Sequence, residues 1–564
     1  MPIHLTTVLG EALLQNNTTP WTVYPRPQMR RDSYLNLNGY WDYAVSSESV
    51  FPADYPRQIR VPFCPESQLS GIGEHPMDGD LIWYRRYFTL PEGFNKGRVL
   101  LHIGAADQLL LCLLNGKIIG SHAGGYEAIT FDITDALSAE NELILRCVDD
   151  LQDKSFPYGK QTLKRGGMWY TPVSGIWQSV WLESVPESYI QKLHIENQGA
   201  AVHISIEPKL EGKVTVPGVG EFALTDGTAQ VTPENPHLWS PEDPYLYDFS
   251  VVTEQDRVDS YFALRTLDIQ NIDGYPRLCL NGKPYFFHGL LDQGYWPDGL
   301  FTPAAPECYA EDILAMKELG FNTLRKHIKV EPEEFYYQCD KLGMVVFQDM
   351  VNNGDYNFLR DTALPTIGLQ KLNDRYLHRD KATHHAFLQN MEATVNQLKN
   401  HPCICYWTIF NEGWGQFDSD RVCEQMRKLD SSRFIDATSG WFRRSNTDVD
   451  SRHVYFKPVK LTATDKPLVL SEFGGYSFKP EGHVFNIEKT YGYGKFADQA
   501  AFAGAVERLY LEQIVPAFRK GLCAAIYTQV SDVEDETNGL LSYDRKVCKL
   551  DAQNMLEIAR LLKF

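Results

Sequence analysis

The stretch Trp407-Thr408-Ile409-Phe410-Asn411-Glu412-Gly413-Trp414-Gly415 decides how this chain is read. It ends an apolar, β-favouring run that begins at Cys403, behind the breaker His401-Pro402. Such a run reads as a buried strand, and it stops abruptly at Asn-Glu-Gly. A carboxylate at that point is costly unless it faces a cavity and is used there. Glycine behind it lets a ligand or the backbone come close. Pro467-Leu468-Val469-Leu470-Ser471-Glu472-Phe473-Gly474-Gly475 repeats the design. Glu412 and Glu472 are 60 residues apart. In a barrel of alternating strands and helices that is a few strands' distance, with both carboxylates at the same carboxyl-terminal rim.

Working outward, strand-like runs alternate with helical ones from about residue 269 onward, the signature of parallel βα units. Eight runs are expected as strands: Tyr285–Gly289, Thr323–Lys326, Met344–Gln348, Cys403–Asn411, Phe434–Ala437, His453–Tyr455, Val469–Glu472 and Ala524–Gln529. Helices are expected over Glu311–Leu319, Glu333–Leu342, His384–Lys399, Arg421–Leu429 and Gln499–Arg519. Eight strands imply a (β/α)8 TIM barrel over 269–564, irregular between the fifth and sixth, where no helix fits. The polar insert Asn352–Asp380 follows the third strand and is expected to form part of a substrate wall.

Upstream, residues 1–185 read as all-β, with short alternating runs such as Trp83–Phe88 and Val99–Ile103 and turns at Asn115-Gly116 and Gly124-Gly125. A jelly-roll sandwich without helices is the expected solution. Residues 186–268, with strands near Gln191–Glu196, Ala201–Ile206 and Leu246–Val252, suit an immunoglobulin-like β-sandwich.

The chain has 564 residues, 43% of them hydrophobic, enough for several cores. A net charge of −19 argues against nucleic acid or an anionic membrane as partner. The start, Met1-Pro2-Ile3-His4-Leu5-Thr6, shows neither a secretion signal nor a membrane span. Eleven scattered cysteines suit buried free thiols in a reducing cytoplasm. No His-Glu-x-x-His or Cys-x-x-Cys pair suggests a metal, and no phosphate-cradling glycine loop or Gly-x-Ser-x-Gly elbow suggests a nucleotide or a serine hydrolase. No cofactor is expected.

Leu37-Asn38-Gly39-Tyr40-Trp41, Ser174-Gly175-Ile176-Trp177, the segment Asn235–Tyr247, Tyr261-Phe262-Ala263-Leu264-Arg265-Thr266 and the two acid motifs occur here in order. Together they resemble glycoside hydrolase family 2 along essentially the whole chain. The resemblance implies a retaining exo-glycosidase acting on an oligosaccharide or glycoside, with Glu412 as acid/base and Glu472 as nucleophile. It also makes a homo-oligomer an expectation. The chemistry agrees: retaining hydrolysis needs two carboxyl groups about 5–5.5 Å apart, one protonated and one ionised. Desolvation behind an apolar strand favours the neutral form at Glu412.

Supporting residues are expected around this pair. Asn411 suits the sugar 2-hydroxyl, against the plainer role of a strand-end turn. Tyr455 suits a hydrogen bond to the nucleophile, and Arg325, with His327 beside it, an ion pair with the same carboxylate. Asp349 is placed to bind a sugar hydroxyl, and Asp292 and Gln293 to hold the non-reducing end. Trp414, Trp441 and Tyr527 are candidates for stacking on a pyranose face, against ordinary core packing.

The family's β-glucuronidases carry Asn-x-Lys after the last strand. The matching Glu536-Thr537-Asn538-Gly539-Leu540 has no lysine, and Glu536 would repel a uronate. The large β-galactosidases carry a different stretch from His288-Gly289-Leu290-Leu291-Asp292-Gln293. A neutral sugar is expected, a β-galactoside first. A furanoside or arabinoside, a uronide held by Lys326 or Lys329, and a non-catalytic carbohydrate-binding protein are the alternatives.

Overall fold

A computed structural model describes residues 4–369 and 373–564. Three residues of the amino-terminal reading and positions 370–372 of the long insert thus lie outside the described residues.

The carboxyl-terminal part is a parallel eight-stranded barrel. Its strands are β1 (Phe287–Asp292), β2 (Thr323–Lys326), β3 (Val345–Asp349), β4 (Ile404–Asn411), β5 (Phe434–Ser439), β6 (Asp450–Val454), β7 (Leu468–Gly474) and β8 (Leu522–Thr528). Hydrogen bonding runs in the order β5-β4-β3-β2-β1-β8-β7-β6. The seam left between β5 and β6 is the place where the sequence has no room for a helix. Elsewhere helices cover the outside, among them Glu307–Glu318, Glu333–Leu342, Lys381–Leu398 and Ser419–Leu429. β4 and β7 are buried along their whole length, as continuous apolar runs in parallel sheets must be. A hairpin the sequence reading did not resolve, Leu267–Ile272 with Tyr275–Leu280, precedes the barrel. Its Arg277 donates to the carbonyls of Phe518 and Leu522, beside the start of β8.

The first part is the expected sandwich. A four-stranded antiparallel sheet (Tyr34–Asn36, Val180–Val185, Arg98–Ile103, Ile129–Asp132) faces a six-stranded one over a core that includes Trp41, Tyr84, Leu101, Leu145 and Leu182. The second part sets a three-stranded sheet against a four-stranded one around Ile195, Ile204, Val214, Phe249 and Val258.

The reading of residues 1–185 as free of helix is corrected by Val8–Asn16, an α-helix capped by the Thr7 hydroxyl. Thr7 also donates through its backbone N–H and its hydroxyl to Asp298 Oδ2, both at 2.7 Å. At nine residues the helix is too short to stand out by periodicity, and its contact with the barrel is what holds it. The segment between Val148 and Gly175 forms no strand and runs over the barrel instead. Tyr158 and Gly159 donate their N–H groups to Asn352 O, and the Tyr158 hydroxyl donates to Gly354 O. This stapled loop brings the first sandwich to the barrel mouth.

Three buried imidazoles make stability depend on pH. Burial holds His102, His288 and His327 down at about 4, with Arg26 adding to the effect at His102 and Lys160 at His327. An unfolded histidine titrates near about 6.5, so between roughly 6.5 and 4 the unfolded chain binds more protons. These groups therefore cost no stability at neutral pH and withdraw it as pH falls through that window. Calorimetric scans are expected to show Tm decreasing from about pH 7 to about pH 5; an unchanged Tm would contradict the burial of these rings.

Candidate active site

Both glutamates lie where β4 and β7 reach the rim. Asn411 is the last residue of β4 and Glu412 follows it with φ +53, a left-handed conformation that costs about 1–3 kcal/mol in a residue with a Cβ. Its N–H is fixed by Ser439 O of β5 at 2.8 Å. Gly413 (φ +75) continues the turn, and a Cβ there would lie 2.4 Å from the Phe442 ring. The glycine thus makes room for an aromatic side chain, not for a ligand.

The Glu412 side chain is 24% exposed, whereas that of Glu472 is 6% exposed. The desolvation expected for Glu412 is therefore partial: its carboxyl leans into the cleft instead of back onto the strand. One oxygen of Glu412, one of Glu472 and Nδ1 of His453 all lie within 4.8 Å of one another. His453 Nδ1 is 2.7 Å from Glu412 Oε1 and 3.5 Å from Glu472 Oε2. Its other nitrogen meets the Ser439 hydroxyl at 3.0 Å, which in turn meets Ser471 at 2.9 Å. Among the described residues this is the one group of three His, Cys, Asp or Glu side chains close enough to share a metal ion. An ion there would engage both glutamates.

Arg325, at the end of β2, organises the floor. It donates to Glu472 Oε1 (3.1 Å), Asp349 Oδ1 (3.0 Å), Asn411 Oδ1 (2.9 Å) and Ser471 O (3.0 Å). Tyr455 donates to Glu472 Oε2 and meets Thr528 Oγ1 at 2.9 Å. Burial pushes the Glu472 carboxyl up, but His453, the Arg325 guanidinium, His327 and the Tyr455 hydroxyl around it outweigh that and hold the group well below the usual carboxylate range. Glu472 is thus an anion with a hydrogen bond at each oxygen. Because Asn411 Oδ1 is taken by Arg325, its amide N–H2 is the end left for a ligand. His327 Nδ1 lies 2.7 Å from Asp349 Oδ2, a carboxylate that Arg325 and His327 hold low despite burial. The neutral imidazole therefore carries its proton on Nδ1 and offers Nε2 as an acceptor.

A cleft lies over this floor. Asn411, Glu412, Glu472, Tyr455, His327, Gln293 and Trp414 line it, as the sequence led one to expect. Five other expectations are corrected. Asp349 has one oxygen on Arg325 and the other on His327, so it orients those groups and does not line the cleft. Asp292 turns from the cleft to Lys326 (2.6 Å) and the Gly294 N–H. Tyr527 is fully buried between Phe473 and Tyr510 and accepts from the Tyr476 N–H; its neighbour Thr528 is the lining residue. Trp441 packs against His453, ring centroids 5.7 Å apart, and does not line the cleft. Lys326 and Lys329 are buried on Glu331 and are not cleft residues.

The sequence reading missed His453, which lies near the end of β6, two residues before Tyr455. It also missed Lys160, Met168 and Trp169 from the first sandwich, and Tyr493. Tyr356, from the insert after β3, does line the wall. Replacing His453 with Phe is expected to lower kcat/KM by ~10²-fold, within the range general acid–base groups supply. The loss should be larger for substrates with poor leaving groups. Equal losses for good and poor leaving groups would show that His453 does not serve the acid.

The class this defines is a (β/α)8 protein with a paired-glutamate cleft at the carboxyl-terminal rim. Residues 274–482 match the family model "Glycosyl hydrolases family 2, TIM barrel domain", and residues 188–265 match "Glycosyl hydrolases family 2". A β-galactosidase of Thermoanaerobacter pseudethanolicus is 26% identical over 62% of this chain and 47% of its own length. A β-glucuronidase of Felis catus is 25% identical over 69% of this chain and 65% of its own. The chain thus spans less than two thirds of these relatives. A solved β-D-glucuronidase of Dictyoglomus thermophilum superposes with a TM-score of 0.74 at 18% identity, over 96% of this chain and 99% of that one, a likeness of fold. The chain belongs to glycoside hydrolase family 2.

Proposed function

We propose that this protein is a retaining exo-glycosidase that releases a terminal neutral sugar, a β-galactoside first, by double displacement. The observation that carries the reading is the approach of the Glu412 and Glu472 carboxyl oxygens to within 4.8 Å across the cleft. That separation suits a nucleophile on one side of the anomeric carbon and a proton donor on the other; inverting enzymes keep about 6.5–9.5 Å for a water.

In the first step a Glu472 oxygen bonds to the anomeric carbon as the glycosidic bond breaks, and Glu412 gives its proton to the departing oxygen. In the second, Glu412 takes a proton from water, whose oxygen displaces Glu472. Arg325 and Tyr455 keep Glu472 aimed throughout, and Asn411 can donate to the 2-hydroxyl. His453 holds the Glu412 carboxyl in place.

The preference for a neutral sugar over a uronide is supported by the sequence of the β8 loop and by Glu536, which lines the cleft. The alternative in which Lys326 or Lys329 holds a uronate is weakened by the acids both already serve. Furanosides and arabinosides belong in the same trial. A panel of aryl glycosides, with the product anomer followed by NMR, tests the reading. Retention of configuration on a neutral sugar is expected, and inversion, or release from uronides alone, would overturn it. For the remaining features we propose units at 1–185, 186–268 and 269–564 and a reducing compartment. The compartment is supported by eleven free cysteines, ten of them buried. No described helix is long and apolar enough to cross a membrane.

A further inference from the structure

Two opposite charges line the cleft without an ion-pair partner. Among the described residues, neither Lys160 nor Glu536 has an oppositely charged group within 4.0 Å, although both belong to the wall that holds Glu412 and Glu472. Among the described residues Lys160 Nζ has no side-chain hydrogen-bond partner, and it lies 5.9 Å from the centroid of the Tyr170 ring. The hydroxyl of that same tyrosine donates to Glu536 Oε2. Tyr170, itself fully buried, thus neighbours both side chains, and both of them line the cleft.

Both groups are held from behind. Gly159 packs on Ile328, where a Cβ would lie 3.0 Å from the carbonyl oxygen, and Gln161 is fully buried with bonds to Asp107, Tyr126 and the Val173 N–H. The backbone on each side of Lys160 is thus fixed. Glu536 Oε1 accepts from Asn538, which accepts from Gln529, which accepts from the cleft residue Gln293. Each Glu536 oxygen retains a second lone pair.

An ammonium with only donors and a carboxylate with only acceptors require an occupant that accepts from one and donates to the other. A hydroxyl does both, whereas a carboxylate would satisfy Lys160 and be repelled by Glu536. We propose that Lys160 and Glu536 are specificity-determining residues that bridge hydroxyl groups of the bound sugar, and that the pair selects a neutral glycoside over a uronide. This rests on the glycosidase reading given above, and it assigns that site's discrimination to a lysine supplied by the first sandwich.

Sites built to hydrogen-bond a hydroxyl discriminate strongly against analogues that lack it. Lys160→Met is expected to lower kcat/KM for the best neutral aryl glycoside by ~10²-fold, with an unchanged Tm, since the ammonium makes no ion pair. Glu536→Gln is expected to cost ~10-fold on the neutral sugar and to raise the ratio of uronide to neutral turnover. With the 3-, 4- and 6-deoxy aryl glycosides, one analogue should lose most of the Lys160→Met effect, which a merely structural role would not produce. Loss of uronide turnover with neutral turnover spared in Lys160→Met would overturn the proposal in favour of carboxylate recognition. Full activity of that variant on every sugar would overturn it outright, while leaving the glycosidase reading intact. If the wild type cleaves no glycoside, calorimetry with free galactose decides: binding lost in Lys160→Met supports the pair, and equal binding refutes it.

Discussion

Glu472→Gln is expected to abolish turnover, with kcat/KM lower by at least ~10⁴-fold, over about 5 kcal/mol of transition-state stabilisation. The amide matches the carboxylate in size, and its single oxygen can still accept from one of Arg325 and Tyr455, which donate to different oxygens of Glu472. It cannot bond to an anomeric carbon as the anion does. The fold is expected to survive, because Arg325 keeps Asp349 as a partner at 3.0 Å. Steady-state rates on the best aryl glycoside, with circular dichroism as a control, check this. A folded variant with full activity would remove Glu472 from the chemistry.

The second large effect is expected at Arg325, which is 1% exposed. Arg325→Met leaves Glu472 and Asp349 buried without their shared cation. Breaking a buried ion pair from one side costs about 3–5 kcal/mol. Urea denaturation should show a loss of that size, and turnover should fall with it because Asn411 and Glu472 lose their common anchor. Arg325→Lys restores the charge but not the planar fork that reaches four acceptors, so it should recover stability in part and activity little. A methionine variant as stable as the parent would mean that the two acids are neutral in the folded protein.

Much of this site is visible in the sequence because strand chemistry exposes it. The acids of β4 and β7 end apolar runs, and only a cavity makes such an ending affordable. Arg325 follows the same logic on β2. What failed was mainly parity. In β8 the bulky Tyr527 drew the assignment, yet it points into the helix layer beside Phe473 and Tyr510, and Thr528 faces the cleft. At the end of β1 Asp292 turns to Lys326 and Gln293 takes the wall. Asp349 was misjudged differently: its position is central, but Arg325 and His327 consume both oxygens. No local signal announces Lys160 or Trp169, because their place depends on a loop of one sandwich docking on the Asn352–Gly354 backbone. The seam between β5 and β6, by contrast, was legible as missing sequence.

In the mechanism proposed above, the division of labour is between Glu472, whose carboxyl is depressed, as nucleophile and Glu412, whose carboxyl is partly exposed, as proton donor. Burial alone does not depress Glu472; the Arg325 guanidinium, the two histidines and the Tyr455 hydroxyl gathered around it do. The measurement that bears most directly on that division is covalent trapping. The protein is incubated with a 2-deoxy-2-fluoro analogue, bearing a good leaving group, of whichever sugar the glycoside panel selects, and the labelled peptide is mapped by mass spectrometry. One sugar attached at Glu472 is the result expected. A label on any other residue, or an active protein that turns the analogue over with inverted configuration and is never labelled, would contradict the account.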